Sequence, residues 1–373
     1  MFLKYKISWP LAVLSALATL FQASVWAQET IVIGEKYIID SKILEEEREI
    51  WIGLPKSYND TIYAQKDYPV CYFFDGNSQF ENFVAQRNWL TRNLYSTMPQ
   101  VIMVGIVQKD RTNELTPTAM ETPKEWKRAN FSNSGGNETF MRFIDKELKP
   151  YMDATYRTNG FEILSGHSFG GLATIHTFIS RPETFDAYIA IDPSLWWDNK
   201  NLLNTLKGDW YKSGFDDSIL FLAKANDPGS GQEHHEAIME FHNRLEELKG
   251  NDRGLVWDYA LYETEDHGSV VVPAVFDALR FIFEGYQMPV KQAMREPSVL
   301  DGHFVGISDR LGYPVIPDEK LMDELAKVCS RQELYVQARD LLSRNLKNYP
   351  QSGHAKERYH TFLERHKTVV DKE

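Results

Sequence analysis

The sequence predicts an α/β fold: a mostly parallel sheet flanked by helices, followed by a helical hairpin at the C-terminus. Two observations carry this. Short apolar runs at residues 68–74, 101–107, 161–164, 187–191, 219–225 and 255–262 alternate with helical patterns at 83–94, 140–151, 172–179, 235–248 and 274–283, the rhythm of a wound α/β domain. Several runs are apolar throughout rather than at every second position, as expected for strands covered on both faces. Between the third run and its helix stands Gly166-His167-Ser168-Phe169-Gly170-Gly171. Strand, sharp turn and helix are the setting in which G-x-S-x-G lifts a serine onto a strained corner as a nucleophile. The glycines let neighbouring backbone approach without a Cβ.

Taken in order, residues 31–39 and 49–54 read as strands, with a charged turn at 44–48 between them. The run at 68–74 ends at Asp75-Gly76-Asn77. A polar loop at 111–137, with Thr116-Pro117, Thr122-Pro123 and Gly135-Gly136, is long enough to be functional. The run at 187–191 leads into Asp192-Pro193-Ser194-Leu195-Trp196-Trp197. The run at 219–225 leads into Asn226-Asp227-Pro228-Gly229, and the last into Glu265-Asp266-His267-Gly268. Residues 28–285 are therefore the main domain. Residues 286–317 read as a linker rich in Pro and Gly. Residues 318–373 hold two helical stretches broken at Asn348-Tyr349-Pro350, with a spacing resembling one tetratricopeptide-like pair.

Composition narrows the function. The chain has 373 residues, a net charge of −12, 9 Trp, 18 Tyr and 21 Phe. This is ample material for one large core, and an acidic surface argues against nucleic acid or anionic membranes as partners. The 2 cysteines, Cys71 and Cys329, are far apart in sequence, and Cys71 lies in an apolar run, so a buried thiol is expected there rather than a disulfide. There is no zinc spacing, phosphate-binding loop or dinucleotide fingerprint, so no metal and no cofactor are expected.

A serine nucleophile needs a base and a group to hold the base. After an elbow of this kind the partners follow in the order acid, then histidine. His176 lies within the elbow helix, His234, His235 and His242 on or beside a polar helix, and His303, His354 and His360 beyond the main domain. Only His267 follows a final strand and precedes a final helix, where the base belongs. Asp227, after the penultimate strand, is the expected acid, with Asp192 the alternative and a serine–histidine pair without an acid the third reading. The oxyanion donors expected are the N–H of Phe169 and that of Gly76 or Asn77. Trp196 and Trp197 are expected to line the substrate site or to pack in the core.

Ser41-Lys42-Ile43-Leu44 with Arg48, Tyr68-Pro69-Val70 through Asp75-Gly76, Arg111 with Leu115-Thr116-Pro117, Gly135-Gly136 and Pro150-Tyr151 form one set with the elbow, Pro193 to Trp197 and His267-Gly268-Ser269-Val270. From about Ile38 to Phe283 the chain resembles the esterase family of α/β-hydrolases that holds siderophore trilactone esterases, S-formylglutathione hydrolases and feruloyl esterases, and most of all its siderophore-esterase branch. The resemblance implies an α/β-hydrolase fold and a serine esterase. It makes Ser168 the nucleophile, His267 the base and Arg111 a substrate-side residue, with a small-molecule ester, even a siderophore-type lactone, as substrate. It departs at Asp192, where serine is common in the family, and in the tail beyond Asp318. An acyltransferase on the same residues, or a binding module that holds a protein partner or a second copy through the tail, are the rival readings.

The first 27 residues read as an export signal. Lys4 and Lys6 precede an apolar run at 11–21 that is too short to span a bilayer, and Val25-Trp26-Ala27 resembles a cleavage site. A periplasmic or secreted protein without stable membrane insertion is expected. N-terminal sequencing of exported protein should then begin at Gln28, and a cytoplasmic chain beginning at Met1 would overturn the assignment.

Overall fold

The computed structural model describes residues 30–122, 130–206, 210–211, 215, 218–248 and 254–370, with side chains to 367. The expected export signal lies outside them. The chain divides into residues 1–33 and 34–373. In the first unit the described residues, 30–33, form no regular structure. Among the described residues no helix is long and apolar enough to cross a membrane.

The second unit is built on an eight-stranded sheet. Its strands are β1 (Glu35–Ser41), β2 (Glu46–Gly53), β3 (Tyr68–Phe73), β4 (Ile102–Ile106), β5 (Thr158–His167), β6 (Ala187–Ile191), β7 (Ile219–Ala225) and β8 (Val256–Tyr262), in the spatial order β1-β2-β4-β3-β5-β6-β7-β8. The pairs β1/β2 and β2/β4 are antiparallel and the others parallel. Side chains alternate between two cores. Cys71 and Phe73 of β3 join Ile163, Ile189 and Phe221 on one face, while Val70 and Tyr72 join Leu164, Tyr188 and Leu220 on the other. Burial on both faces is why these runs carry no polar alternation.

The helices are α1 (Gly76–Leu90), α2 (Arg111–Leu115), α3 (Asn137–Phe143), α4 (Lys149–Thr155), α5 (Phe169–Ser180), α6 (Trp197–Thr205), α7 (Gln232–Glu246) and α8 (Val271–Ile282). A π-helical turn, Ile144–Leu148, joins α3 to α4, so the amphipathic helix expected at 140–151 is longer at both ends. The helix expected from residue 83 begins a full two turns earlier, because Asp75 adopts a left-handed conformation (φ 57°) that turns β3 directly into α1. Cys71 and Cys329 are both buried and unpaired.

The C-terminal third departs from expectation. Residues 286–317 contain α9 (Val290–Ala293) and α10 (Val299–Leu311). Leu300, Phe304, Ile307 and Leu311 are buried at helical spacing, but Gly302 and Gly306 interrupt the pattern that sequence reading relies on. The tail forms α11 (Glu319–Arg331), α12 (Tyr335–Asn348) and α13 (Gly353–Val370), one helix more than expected. The break between α11 and α12 contains neither Gly nor Pro, and is made by Glu333 at φ 60°.

These helices are not a separate lobe. Met322, Leu325, Cys329, Ala338, Leu341 and Phe362 belong to the same core as Phe73 and Ile163. The N–H of Ala64 donates to the buried Glu319 carboxylate at 2.6 Å, and the Tyr313 ring lies 5.2 Å from that of Phe161. Ala64 and Phe161 lie before β3 and early in β5, so the tail covers the N-terminal ends of the parallel strands. Leu325→Ala should therefore cost about 2–5 kcal/mol in a urea titration. Turnover of the folded fraction should be unchanged, because the strand ends bearing Ser168 are at the opposite edge.

Candidate active site

Four chain segments meet beyond the C-terminal ends of the parallel strands, the usual crevice of a wound α/β sheet. Ser168 follows β5 and precedes α5, with φ 60° and ψ −116°. A non-glycine residue held so costs on the order of 1–3 kcal/mol. The turn is fixed from both sides: the Ser168 N–H donates to the Ile191 carbonyl at 3.0 Å, and the Ser168 carbonyl accepts from Leu172 and Ser194 N–H groups at 2.9 and 3.0 Å. A Cβ on Gly166 would lie 2.2 Å from the Gly170 backbone, so only glycine permits this elbow.

His267 arrives from the loop after β8. Its Nε2 lies 3.0 Å from Ser168 Oγ, and its Nδ1 lies 2.6 Å from Asp192 Oδ2. Serine hydroxyl, imidazole and carboxylate thus form one line. The hydroxyl of Ser194 is 3.3 Å from that of Ser168.

The carboxylate against His267 is that of Asp192, not Asp227. Strand order gives the reason. β6 lies immediately beside β5, so a residue ending β6 sits between the serine and a histidine that reaches back from β8 across β7. Asp192 is fully buried, with a left-handed backbone (φ 41°), and its Oδ1 accepts from the Ala225 N–H at 3.0 Å. Asp227 accepts instead from the Gly229 N–H at 2.8 Å and the Ser230 hydroxyl at 2.8 Å, and its Oδ2 is 3.4 Å from the backbone nitrogen of His267. It steadies the loops rather than the imidazole.

Burial alone would push the Asp192 carboxyl up. His234 and His267 beside it, with the Ala225 N–H, outweigh burial and hold it far below the usual carboxylate range. His234 was not expected here. It is buried at the third position of α7, and its Nε2 is 3.0 Å from the same Oδ2. Asp192, His234 and His267 are the group among the described residues whose donor atoms could hold a metal. Donors around a tetrahedral zinc stand about 3.4 Å apart, so the 2.6 Å contact suits a shared proton better.

The remaining expected residues are placed as follows. Gly76 and Asn77 open α1, and Phe169 opens α5, so all three N–H groups belong to helix starts that lack intrahelical acceptors. A Cβ on Gly76 would lie 2.5 Å from the Gly105 backbone, which fixes how closely α1 starts against β4. Arg111 is not a free cation. Its Nε and Nη2 grip the Asp75 carboxylate at 2.6 and 2.9 Å, and Nη2 reaches the His167 carbonyl at 3.2 Å, tying the two turns together. Trp197 is in the core, 1% exposed, with its indole N–H on the Thr118 carbonyl at 3.1 Å, so it does not line the site. Trp196 is half-buried with its ring 6.3 Å from that of Phe169.

The arrangement defines a class. An α/β-hydrolase sheet presents a serine, histidine and carboxylate in line at the elbow, the equipment of ester hydrolases. The family profile described as "Putative esterase" matches residues 41–231, just over half of the chain, and the chain belongs to that family. A ferri-bacillibactin esterase of Bacillus subtilis is 30% identical over 57% of this chain and 78% of its own length. A siderophore triacetylfusarinine C esterase of Aspergillus fumigatus is 26% identical over 68% of this chain and 90% of its own. Among solved structures, an IroE-like serine hydrolase from Shewanella oneidensis superposes with a TM-score of 0.75 at 29% identity, over 84% of this chain and 99% of that one.

His167, the residue before Ser168, provides a pH test. Its ring lies 4.5 Å from that of His267, and its Nε2 is buried without a hydrogen-bond partner among the described residues. Burial, and then the neighbouring His267, push it down to about 4. The unfolded chain takes up this proton near pH 6.5, so stability is lost as pH falls from there toward 4. Between pH 7 and 5 the wild type should lose about 2 kcal/mol more than His167→Phe, measured by urea unfolding at the two pH values.

Proposed function

We propose that this protein is an exported serine esterase that cleaves a carboxylic ester through an acyl-enzyme on Ser168. The observation that carries the reading is the line from Ser168 Oγ to His267 Nε2 and from His267 Nδ1 to Asp192, at 3.0 and 2.6 Å. His267 Nε2 takes the hydroxyl proton as Ser168 Oγ attacks the ester carbonyl. Asp192 holds Nδ1–H, selects the tautomer with a free Nε2, and offsets the imidazolium charge. The N–H groups of Phe169 and of Gly76 or Asn77 receive the developing oxyanion. His267 then returns the proton to the leaving alkoxide. Water, deprotonated by the same nitrogen, releases the acid and restores Ser168.

The named relatives support a siderophore-type ester or lactone as substrate. Phe169 and the half-buried Trp196 offer it an aromatic wall, and Arg111 shapes the floor by clamping Asp75 rather than by meeting substrate charge.

The tests separate the roles. Ser168→Ala and His267→Ala should each lower kcat about 10⁴-fold or more, and Ser168→Ala should abolish labelling by a fluorophosphonate. Asp192→Asn should cost about 10²–10⁴-fold, since an amide leaves the histidine in the wrong tautomer. Asp227→Asn should stay within about 10-fold of wild type. A crippled Asp227→Asn beside a near-normal Asp192→Asn would reverse the acid assignment, and ester turnover by Ser168→Ala would end the serine-esterase reading.

A further inference from the structure

The mechanism above leaves one buried titratable group at the site unused. His234 is 3% exposed, yet it carries two ring nitrogens into a region that should favour apolar side chains. Its Nε2 is 3.0 Å from Asp192 Oδ2, the oxygen that also meets His267 Nδ1, but outside hydrogen-bond geometry, and that nitrogen has no hydrogen-bond partner among the described residues. The approach is oblique rather than in line. The His234 and His267 rings are 5.4 Å apart and nearly perpendicular, at 87°.

We propose that His234 is a positioning residue for the acid: its imidazole fixes the Asp192 carboxylate against His267 Nδ1, so that β6 rather than β7 supplies the third group of the triad. The inference rests on the serine-esterase reading. Asp192 projects from a left-handed backbone and has no access to water, so its orientation depends on its partners. Oδ1 has one, the Ala225 N–H at 3.0 Å. Oδ2 has His267 alone unless His234 contributes, and His267 must be free to move as the proton passes. A second N–H dipole on Oδ2 keeps the carboxylate from turning about its Cβ–Cγ bond while His267 rocks. It also lowers the basicity of Oδ2, so that the proton taken from Ser168 remains on the imidazole.

Other charged and titratable groups face this carboxylate. Lys224 comes from β7 and Tyr259 from β8, both close enough to feel its charge. The Lys224 ammonium is committed to the Ala225 carbonyl at 3.0 Å, and the Tyr259 hydroxyl donates to Met239 Sδ at 3.4 Å. On the far side of the imidazoles, His167 lies against His267 and His235 against His234, with His235 Nε2 2.5 Å from the Asp227 carbonyl. None of these supplies a second donor to Oδ2.

The test compares His234→Leu, which removes the donor, with His234→Gln, whose amide nitrogen occupies nearly the same position as Nε2. Rates are expressed per Ser168 titrated with a fluorophosphonate, which excludes misfolded enzyme. His234→Leu should lower kcat about 10- to 100-fold with KM within about 2-fold of wild type. It should also raise the acid-limb pKa of kcat/KM, because a less shielded carboxylate favours the protonated His267. His234→Gln should recover most of the rate and the wild-type pH profile. If His234→Leu does not fold, His234→Asn replaces it, since its shorter amide falls short of Oδ2 and should be equally impaired. A normal kcat and pH profile per titrated site in the donor-less variant would overturn the inference, as would a Gln variant as impaired as Leu. Turnover by Ser168→Ala would instead overturn the esterase reading beneath it.

Discussion

A carboxylate shut away from water is expensive unless each oxygen is met by a donor, and Asp192 is such a group. Its burial explains much of the surrounding design. Oδ1 is met by the Ala225 N–H, which brings β7 up to the end of β6. Oδ2 is met by His267, and His234 of α7 stands beside it. The Asp192 N–H in turn donates to the Ala223 carbonyl at 2.8 Å. Strand, loop and helix are thus pinned to one side chain. With a neutral residue here, His267 would lose its orientation and the β6–β7 crossover would lose its anchor.

Which carboxylate meets His267 follows from topology more than from local sequence. In the order β5-β6-β7-β8, Ser168 and His267 come from the ends of strands three places apart. A carboxylate partner must lie where the returning histidine presents Nδ1, and the end of either intervening strand can reach that point. The end of β7 carries Asp227, but its Asn-Asp-Pro-Gly turn folds the carboxylate back onto Gly229 and Ser230. An aspartate followed by Pro-Gly is strongly disposed to bond its own turn. The end of β6 is pulled inward by the Ser194 N–H on the Ser168 carbonyl, which leaves Asp192 pointing under the imidazole.

The legible part of the chain was the part set by short-range chemistry. Apolar runs gave the parallel strands because burial on both faces disfavours polar residues along most of them, and the elbow was readable because Gly166 admits no substitute. His267 followed from its place between the last strand and the last helix. Long-range geometry was not legible. His234 and His235 share a helix pattern that looks like a solvated face, and nothing local says that one of them points at a carboxylate 42 residues earlier. Trp196 and Trp197 are chemically alike in sequence, and adjacent side chains of one turn point in different directions, so that one enters the core and the other is left half-buried. In α10, packing against the sheet outweighs the low helix propensity of Gly302 and Gly306.

The tail acquires a physical role once strain is counted. Ser168, Asp75 and Asp192 each have positive φ, at 60°, 57° and 41°, on neighbouring turns at one edge of the sheet. At about 1–3 kcal/mol each, they cost roughly 3–9 kcal/mol together, comparable with the whole net stability of a typical domain at 5–15 kcal/mol. Such a corner persists only if the rest of the fold over-determines it. Hydrogen bonds fix it locally, but the strands must also be held rigid along their length. The helices from α9 to α13 extend the core beneath the opposite ends of β3 and β5, where Glu319, Tyr313 and Met322 tie the tail to the sheet. Tail and elbow lie at opposite ends of the same strands, and the packing of one offsets the strain of the other because both act on those strands.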